Sequence, residues 1–154
     1  MNTYEREPIG NIIIIRNLIF QNTVKGQKEV DHAWKSGRPC IIIHSDNEYD
    51  YILALKTRVK DERYEHQHFP LSENCFLHQE ISRYGNYNIK KRNNRETKGC
   101  VNLQNIYKIP ISGHDVTGKV KFETYKEIIA KLKIYHNKED LNQIIENAPE
   151  GRGR

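Results

Sequence analysis

Apolar residues fall into short runs along the chain, and the spacing within each run predicts the element that it forms. Residues 12–15 are four consecutive isoleucines, which is typical of a short buried strand. Two further runs, near residues 39–44 and 51–55, flank the turn sequence SDNEYD and predict a hairpin. A later stretch, CVNLQNIYKI, alternates less strictly and predicts one final strand ending at Pro110.

The period of the pattern changes after SGHDVTG. In VKFETYKEIIAKLKIYH, apolar residues recur at helical spacing, and they are Phe122, Tyr125, Ile128, Ile129 and Leu132. This pattern predicts a helix with those residues in the core, followed by a short second helix in EDLNQIIENA and a flexible tail at 148–154. Many short strands before a C-terminal helix predict a mainly β, α+β fold, built as a small β-barrel or curled sheet.

Composition narrows the class of protein. A length of 154 residues favours a single domain, 1–154, and a formal charge of +5 is compatible with a polyanionic partner without requiring one. No apolar run approaches the roughly 18 residues of a membrane span, and no signal peptide is expected. Three cysteines without CxxC spacing predict reduced thiols in the cytoplasm, and neither a metal nor a cofactor is expected.

A basic loop between residues 84 and 98 interleaves cations with tyrosines. Basic side chains attract a nucleic-acid backbone, and exposed tyrosines stack on unpaired bases. The candidate RNA-binding residues are Tyr84, Tyr87, Lys90, Lys91, Arg92 and Arg95, to which we add Ser45 at the exit of the first hairpin strand. A solvated loop of a basic protein is the equally plausible alternative.

The hairpin itself carries the most specific feature. Arg38 and Pro39 directly precede the apolar run CIII, and Thr57 closes the second strand. Because antiparallel neighbours run in opposite directions, the start of one strand lies near the end of the next. Arg38 and Thr57 are therefore expected to share one rim and to hold a phosphate, unless they are a solvated flank and an ordinary strand-end hydroxyl.

The order of these elements resembles the MazF/PemK/Kid family of bacterial toxin ribonucleases. The resemblance rests on GNIIIIRN, HAWKSGRPCIII, YILALKT, and VNLQNIYKI followed by GKVKFETYKEIIAKL, and it spans about residues 9–135. It implies an SH3-like or PemK-like barrel, a homodimer, and metal-independent cleavage of single-stranded RNA to 2′,3′-cyclic phosphate and 5′-hydroxyl ends. It also implies a cognate antitoxin, either protein or RNA.

The family's catalytic residues map onto three positions of this chain. The arginine falls on Arg38, the threonine on Thr57, and a histidine present in some members on His32. Arg38 suits the phosphorane charge but is a poor base, whereas His32 suits proton transfer near neutral pH. Two family carboxylates are replaced, by Ala33 and Gln104.

Two other functions remain open on the sequence. A ToxN-like toxin shares the barrel and is restrained by an RNA antitoxin. A CcdB-like toxin has the same fold but binds gyrase and cuts nothing, because fold alone does not fix function. The pairing of Arg38 with Thr57 favours a nuclease, and the replaced carboxylates leave the binder open.

Overall fold

The computed structural model describes residues 3–15, 19–20, 38–56, 66–77, 90–92, 95–97, 100–111, 114–137, 140–148 and 150–152. Short strands alternate with turns until two helices near the C-terminus. The strands are β1 (Asn11–Ile15), β2 (Ile19–Phe20), β3 (Arg38–Ser45), β4 (Tyr49–Lys56), β5 (His68–Pro70), β6 (Lys90–Arg92), β7 (Arg95–Thr97), β8 (Cys100–Asn102), β9 (Tyr107–Pro110), β10 (Val116–Lys119) and β11 (Gly151–Arg152). The helices are α1 (Phe122–Tyr135) and α2 (Leu141–Glu146).

One antiparallel sheet of seven strands organises the molecule. Its hydrogen-bonded order is β10-β1-β3-β4-β8-β5, and β9 pairs with the first half of β4. The chain beyond β5 returns toward β10, since Phe76 forms an isolated bridge with Val120. The mainly β, α+β class predicted from the sequence is confirmed.

The predicted hairpin is confirmed as β3 and β4, and both of its faces are buried. One face contributes Ile41, Leu53 and Leu55 to the larger apolar cluster, while the other contributes Cys40 and Ile42 to a second cluster. Burial on both faces explains why the strand reads as a continuous apolar run without alternation. The second cluster consists of Ile13, Ile15, Cys40, Ile42, Ile52, Tyr107 and Ile109.

The predicted helix is also confirmed, and it packs on the larger cluster. Ile128 and Leu132 are fully buried, and the Tyr125 hydroxyl donates to the backbone oxygen of Ile43 at 2.7 Å. Phe122 differs from the prediction because it is 39% exposed. Within the described ranges, neither helix combines the length and apolar character needed to cross a bilayer.

The single strand predicted for CVNLQNIYKI is wrong, because the structure divides it into β8 and β9. Between them the Asn102 side chain accepts from the backbone N–H of Gln104 at 3.0 Å, which turns the chain. Leu103 and Ile106 belong to the larger cluster, whereas Ile109 belongs to the second one. The irregular alternation in the sequence was the sign of this corner.

The C-terminal segment differs from the predicted flexible tail. Ala148 is buried, and β11 pairs antiparallel with β2. Glu150 forms a parallel bridge with Lys108, and its carboxylate accepts from the Tyr49 hydroxyl at 3.3 Å. These contacts tie the end of the chain to the sheet, because they give its backbone and side chains partners that a free tail lacks.

Candidate functional site

The open end of the β3–β4 hairpin brings two cationic residues together. Arg38 is the first residue of β3 and Lys56 is the last residue of β4. Cys40 pairs with Ala54, and the same register continued by two residues sets Arg38 opposite Lys56. Residues two apart share a face of a strand, so both cations lie on the face of the second cluster. We call Arg38 and Lys56 the cationic rim.

A β-bulge decides which residue faces Arg38. Near the turn, Ser45 pairs with Asp50, whereas farther along Ile42 pairs with Ile52, so the register shifts by one residue between Ile42 and His44. Without this shift the register would pair Arg38 with position 57. Bulges commonly re-aim side chains beside functional sites.

Apolar neighbours surround the arginine side of the cationic rim. Arg38 pairs with Ile15, which is 2% exposed, and it is itself half-buried. The Cys40 thiol contacts the backbone oxygen of Arg38 at 3.8 Å, and burial raises the pKa of that thiol although Arg38 acts against the rise. Low-dielectric walls weaken water's screening, so the guanidinium attracts a bound anion more strongly than an exposed cation would.

Cys100 lies beside the cationic rim because it pairs with Lys56 across β4 and β8. Burial raises the pKa of its thiol to about 11, although the ammonium groups of Lys56 and Lys131 lower it. Lys131 extends from α1, where its Nζ donates to the backbone oxygen of His68. Since only the thiolate is a strong nucleophile, this end of the hairpin offers positive charge and not a reactive sulfur at neutral pH.

Ser45 lies at the opposite end of β3 from Arg38. Its hydroxyl donates to the carboxylate of Asp50 at 2.7 Å. Seven residues of strand separate Ser45 from Arg38, which corresponds to about 23 Å. The structure therefore does not bring Ser45 to the cationic rim.

The turn beside Ser45 is built around one carboxylate. Asp46 accepts from the backbone N–H groups of Glu48 and Tyr49 at 2.7 Å each, and from the Tyr51 hydroxyl at 2.9 Å. The two backbone hydrogen bonds are the main reason that the pKa of Asp46 lies below its ordinary value of 3.8. These polar groups serve the turn, and each is engaged within the hairpin.

The remaining predicted site residues are placed only in part. Lys90, Lys91 and Arg92 form β6, and Arg95 begins β7. Lying outside the described residues are His32, Ala33, Thr57, Tyr84 and Tyr87. The structure therefore leaves the roles predicted for this last group as predictions.

Other observations bear on the site's chemistry. Gln104, which the sequence analysis placed in the last strand, lies in the corner between β8 and β9 and not within a strand. In the part of the chain that the structure describes, no group of three or more His, Cys, Asp or Glu side chains is arranged to hold a metal ion. The sequence analysis did not identify Lys56. Its position relative to Arg38 follows from the register of the two strands, and a bulge shifts that register by one residue.

Two searches compared the sequence with known proteins. The chain matched none of the models of known protein families, and a search of curated proteins found no similar sequence. The resemblance to toxin ribonucleases therefore stays a prediction from the sequence motifs.

Proposed function

We propose that this protein is the toxin of a bacterial toxin–antitoxin system, a metal-independent endoribonuclease that cleaves single-stranded RNA. The observation that carries the proposal is the cationic rim: the β3–β4 pairing ends at Cys40 and Ala54, and its register, continued by two residues, sets Arg38 opposite Lys56. Like charges directly opposite on a sheet repel each other. A phosphodiester fits this positively charged pair because the arginine fork can grip two of its oxygens.

The proposed reaction uses the ribose 2′-hydroxyl as the nucleophile. His32 takes the proton from this hydroxyl, whose oxygen attacks the adjacent phosphorus. Arg38 stabilises the charge of the pentavalent phosphorane, and Thr57 orients the phosphate or the leaving oxygen. The bond to the 5′-oxygen breaks and that oxygen takes up a proton, so the products are a 2′,3′-cyclic phosphate and a 5′-hydroxyl.

The test is cleavage of a mixed-sequence single-stranded RNA in excess chelator, with the 3′ ends identified by mass spectrometry. We expect discrete fragments that end in 2′,3′-cyclic phosphate. Arg38→Ala, purified identically, is the control for contaminating nuclease, and its preparation should cleave the RNA at least about a hundredfold more slowly.

Three other outcomes separate the alternatives. Cleavage that requires added magnesium would refute the metal-independent mechanism. No cleavage, together with binding to gyrase, would favour the CcdB-like function. Purification together with a repeated small RNA would assign a ToxN-like toxin with an RNA antitoxin, whereas a small acidic protein would indicate a protein antitoxin.

We also propose that the sheet curls into a small SH3-like, PemK-like barrel. Support comes from the two ends of the strand order, β10 and β5, which the chain after β5 joins. The backbone N–H of Leu77 donates to Lys119, and that of Lys121 donates to Cys75, both at 2.8 Å. Slow hydrogen exchange at these two amides would support closure, and exchange as fast as in an unfolded peptide would contradict it.

The partners of the proposed toxin follow from the family resemblance. A homodimer and a cognate antitoxin are predictions, and sedimentation at micromolar concentration checks the first of them. If the protein sediments as a monomer at micromolar concentration, the dimer is removed from the proposal and the cleavage test is unaffected.

A further inference from the structure

A lysine of α1 lies against the end of the sheet that carries the cationic rim. The ammonium of Lys131 donates a hydrogen bond to the backbone oxygen of His68 in β5. β5 is the last strand of the order β10-β1-β3-β4-β8-β5, so this bond brings the head of a helical side chain to the edge of the sheet. Among the residues that the structure describes, His68 is the one acceptor of this ammonium. A lysine has three N–H donors, so two of them remain for a ligand.

Strand pairing fixes how far Lys131 lies from the rim. Two residues beyond His68, Pro70 pairs with Cys100, and Cys100 pairs with Lys56 in β4. Two strand spacings and two residues of strand therefore separate His68 from Lys56, which corresponds to about 12 Å between their backbones. The ammonium groups of Lys56 and Lys131 both lower the pKa of the Cys100 thiol against the effect of burial, so both lie near that residue.

The path between the two lysines carries no negative charge of its own. Its strands, β5 (HFP) and β8 (CVN), contain no acidic residue. Within the described part of the chain, no carboxylate forms an ion pair with Lys56 or Lys131. Arg38 continues the series on β3, so three cations cross the sheet from β3 to β5, over three strand spacings or about 14 Å. We call Arg38, Lys56 and Lys131 the cationic track.

We propose that single-stranded RNA binds along the cationic track, with one phosphodiester at Arg38 and Lys56 and a neighbouring phosphate at Lys131. A row of this length exceeds the reach of one phosphate and suits a ligand that repeats its negative charge, as a nucleic-acid backbone does. The identity of the ligand as RNA rests on the proposed function, whereas the course of the strand across β4, β8 and β5 rests on the sheet. Lys131 binds the RNA and takes no part in the reaction.

Lys131 and Lys133 provide a matched pair of variants on one helix. Lys131 is half-buried against β5, whereas Lys133 is exposed. Two residues apart on an α-helix, they lie on nearly opposite sides of it. Lys131→Gln and Lys133→Gln therefore make the same chemical change, but only the first alters the cationic track. The full chain is titrated across a series of salt concentrations with a fluorescent 2′-O-methyl RNA, which lacks the 2′-hydroxyl nucleophile, so that binding is measured apart from cleavage.

We expect Lys131→Gln to weaken binding about fivefold at 0.1 M salt and to reduce the salt slope by about 0.7, the value for one lost contact with a single strand. Lys133→Gln should leave both the affinity and the slope unchanged. Lys131→Arg keeps the charge and a donor for His68, and it should bind as the wild type does. An unchanged salt slope in folded Lys131→Gln would reduce Lys131 to a structural contact and overturn the proposal.

A second measurement needs no variant. Lysines of the wild-type protein are reductively methylated with and without 2′-O-methyl RNA, and the modification of each is followed by mass spectrometry of peptides. Bound RNA should slow the modification of Lys56 and Lys131 and leave that of Lys133 at the rate of the free protein. Equal protection of all three lysines, or protection of none, would overturn the proposal.

The proposed function and the cationic track can fail separately. Cleavage of ordinary RNA with equal losses of binding for Lys131→Gln and Lys133→Gln would keep the nuclease and overturn the track, since net charge alone would then matter. The expected pattern of binding without cleavage of ordinary RNA would keep the track and reject the nuclease.

Discussion

The two ends of the β3–β4 hairpin are built from the same pair of strands but treat their polar groups in opposite ways. At the turn end, the Ser45 hydroxyl donates a hydrogen bond to Asp50, and the Asp46 carboxylate accepts three hydrogen bonds from other residues of the hairpin. At the open end, the register continued two residues beyond Cys40 and Ala54 sets Arg38 opposite Lys56, which has the same charge. Donors and acceptors match at one end, and like charges meet at the other.

This difference separates structural polar residues from candidate functional ones. A carboxylate that receives hydrogen bonds from its own turn has its interactions in place and stabilises the fold. Two cations on neighbouring strands form a positively charged surface, and such a surface is a candidate for binding an anion. Residue type alone does not distinguish the two cases, because both ends are equally polar.

The largest expected effect is on turnover at the open end. Arg38→Ala should lower the rate of RNA cleavage at saturating RNA by about 10²- to 10³-fold, because it removes the group proposed to stabilise the phosphorane. Single-turnover cleavage measures this rate. Arg38→Lys keeps the charge without the planar fork and should recover only part of the activity.

The control for Arg38→Ala lies at the turn end. Tyr51→Phe removes a hydroxyl that donates a hydrogen bond to Asp46. This variant should cleave RNA at the wild-type rate, provided that circular dichroism shows both variants to be folded. An Arg38→Ala variant that cleaves RNA at the wild-type rate would refute the proposed nuclease site. Neither end of the hairpin would then be needed for turnover.

A smaller effect is expected from the second cation. Lys56→Ala should weaken binding of 2′-O-methyl RNA about fivefold at 0.1 M salt and reduce the salt slope by about 0.7. Lys108→Ala removes the same charge from β9, where the ammonium lies 4.6 Å from the centre of the Tyr49 ring near the turn end. Equal losses in the two variants would show that the position of the lysine is irrelevant.

The turn end should respond in stability and not in activity. Asp46→Asn should lower the thermal midpoint at pH 7, since the carboxylate accepts three hydrogen bonds. The pKa of Asp46 is lowered from 3.8 in the folded protein, so its contribution is present above pH 3.8 and is lost as the pH falls further. The variant should therefore lose less stability than the wild type below that pH.

Tyr51→Phe tests the same turn through a single bond and should cost about 1 kcal/mol in the free energy of unfolding, measured by urea titration. If Asp46→Asn shows the same acid dependence as the wild type, the hydrogen bonds to Asp46 are not what stabilises the turn.

The smallest effect concerns thiol reactivity near the open end. Cys40 and Cys100 are buried, and burial raises the pKa of Cys100 to about 11, whereas Cys75 is half-exposed. At pH 8 iodoacetamide should therefore modify Cys75 first, as followed by mass spectrometry of peptides. Faster modification of Cys100 would mean that the nearby ammonium groups outweigh burial and that this end offers a nucleophile.

Much of the fold could be predicted because local patterns specify it. The β-branched run at residues 12–15, the hairpin and α1 follow from periodicity, and each agrees with the structure. The division of residues 100–110 into β8 and β9 could not be predicted, since Leu103 and Ile106 are apolar whether the chain is straight or bent. The corner becomes visible only in the structure, where Leu103 and Ile106 pack in the larger cluster and Ile109 packs in the second one.

The site was predicted less completely. Arg38 was identified from the sequence because a charged residue is unusual directly before a run of apolar residues such as CIII. Lys56 was missed, since an exposed lysine at a strand end is common and carries no local signal. Ser45 was named for its position after the strand, but its carboxylate partner depends on the cross-strand pairing.

The sequence by itself determined β1, the β3–β4 hairpin and α1, because hydrophobic periodicity and turn residues act over a few neighbours. Only the tertiary structure decided which residue faces Arg38. A one-residue bulge between Ile42 and His44 shifts the pairing, and continued to the open end the shifted register sets Lys56 and not position 57 opposite Arg38. Chemistry at the open end thus depends on a register that local sequence does not specify.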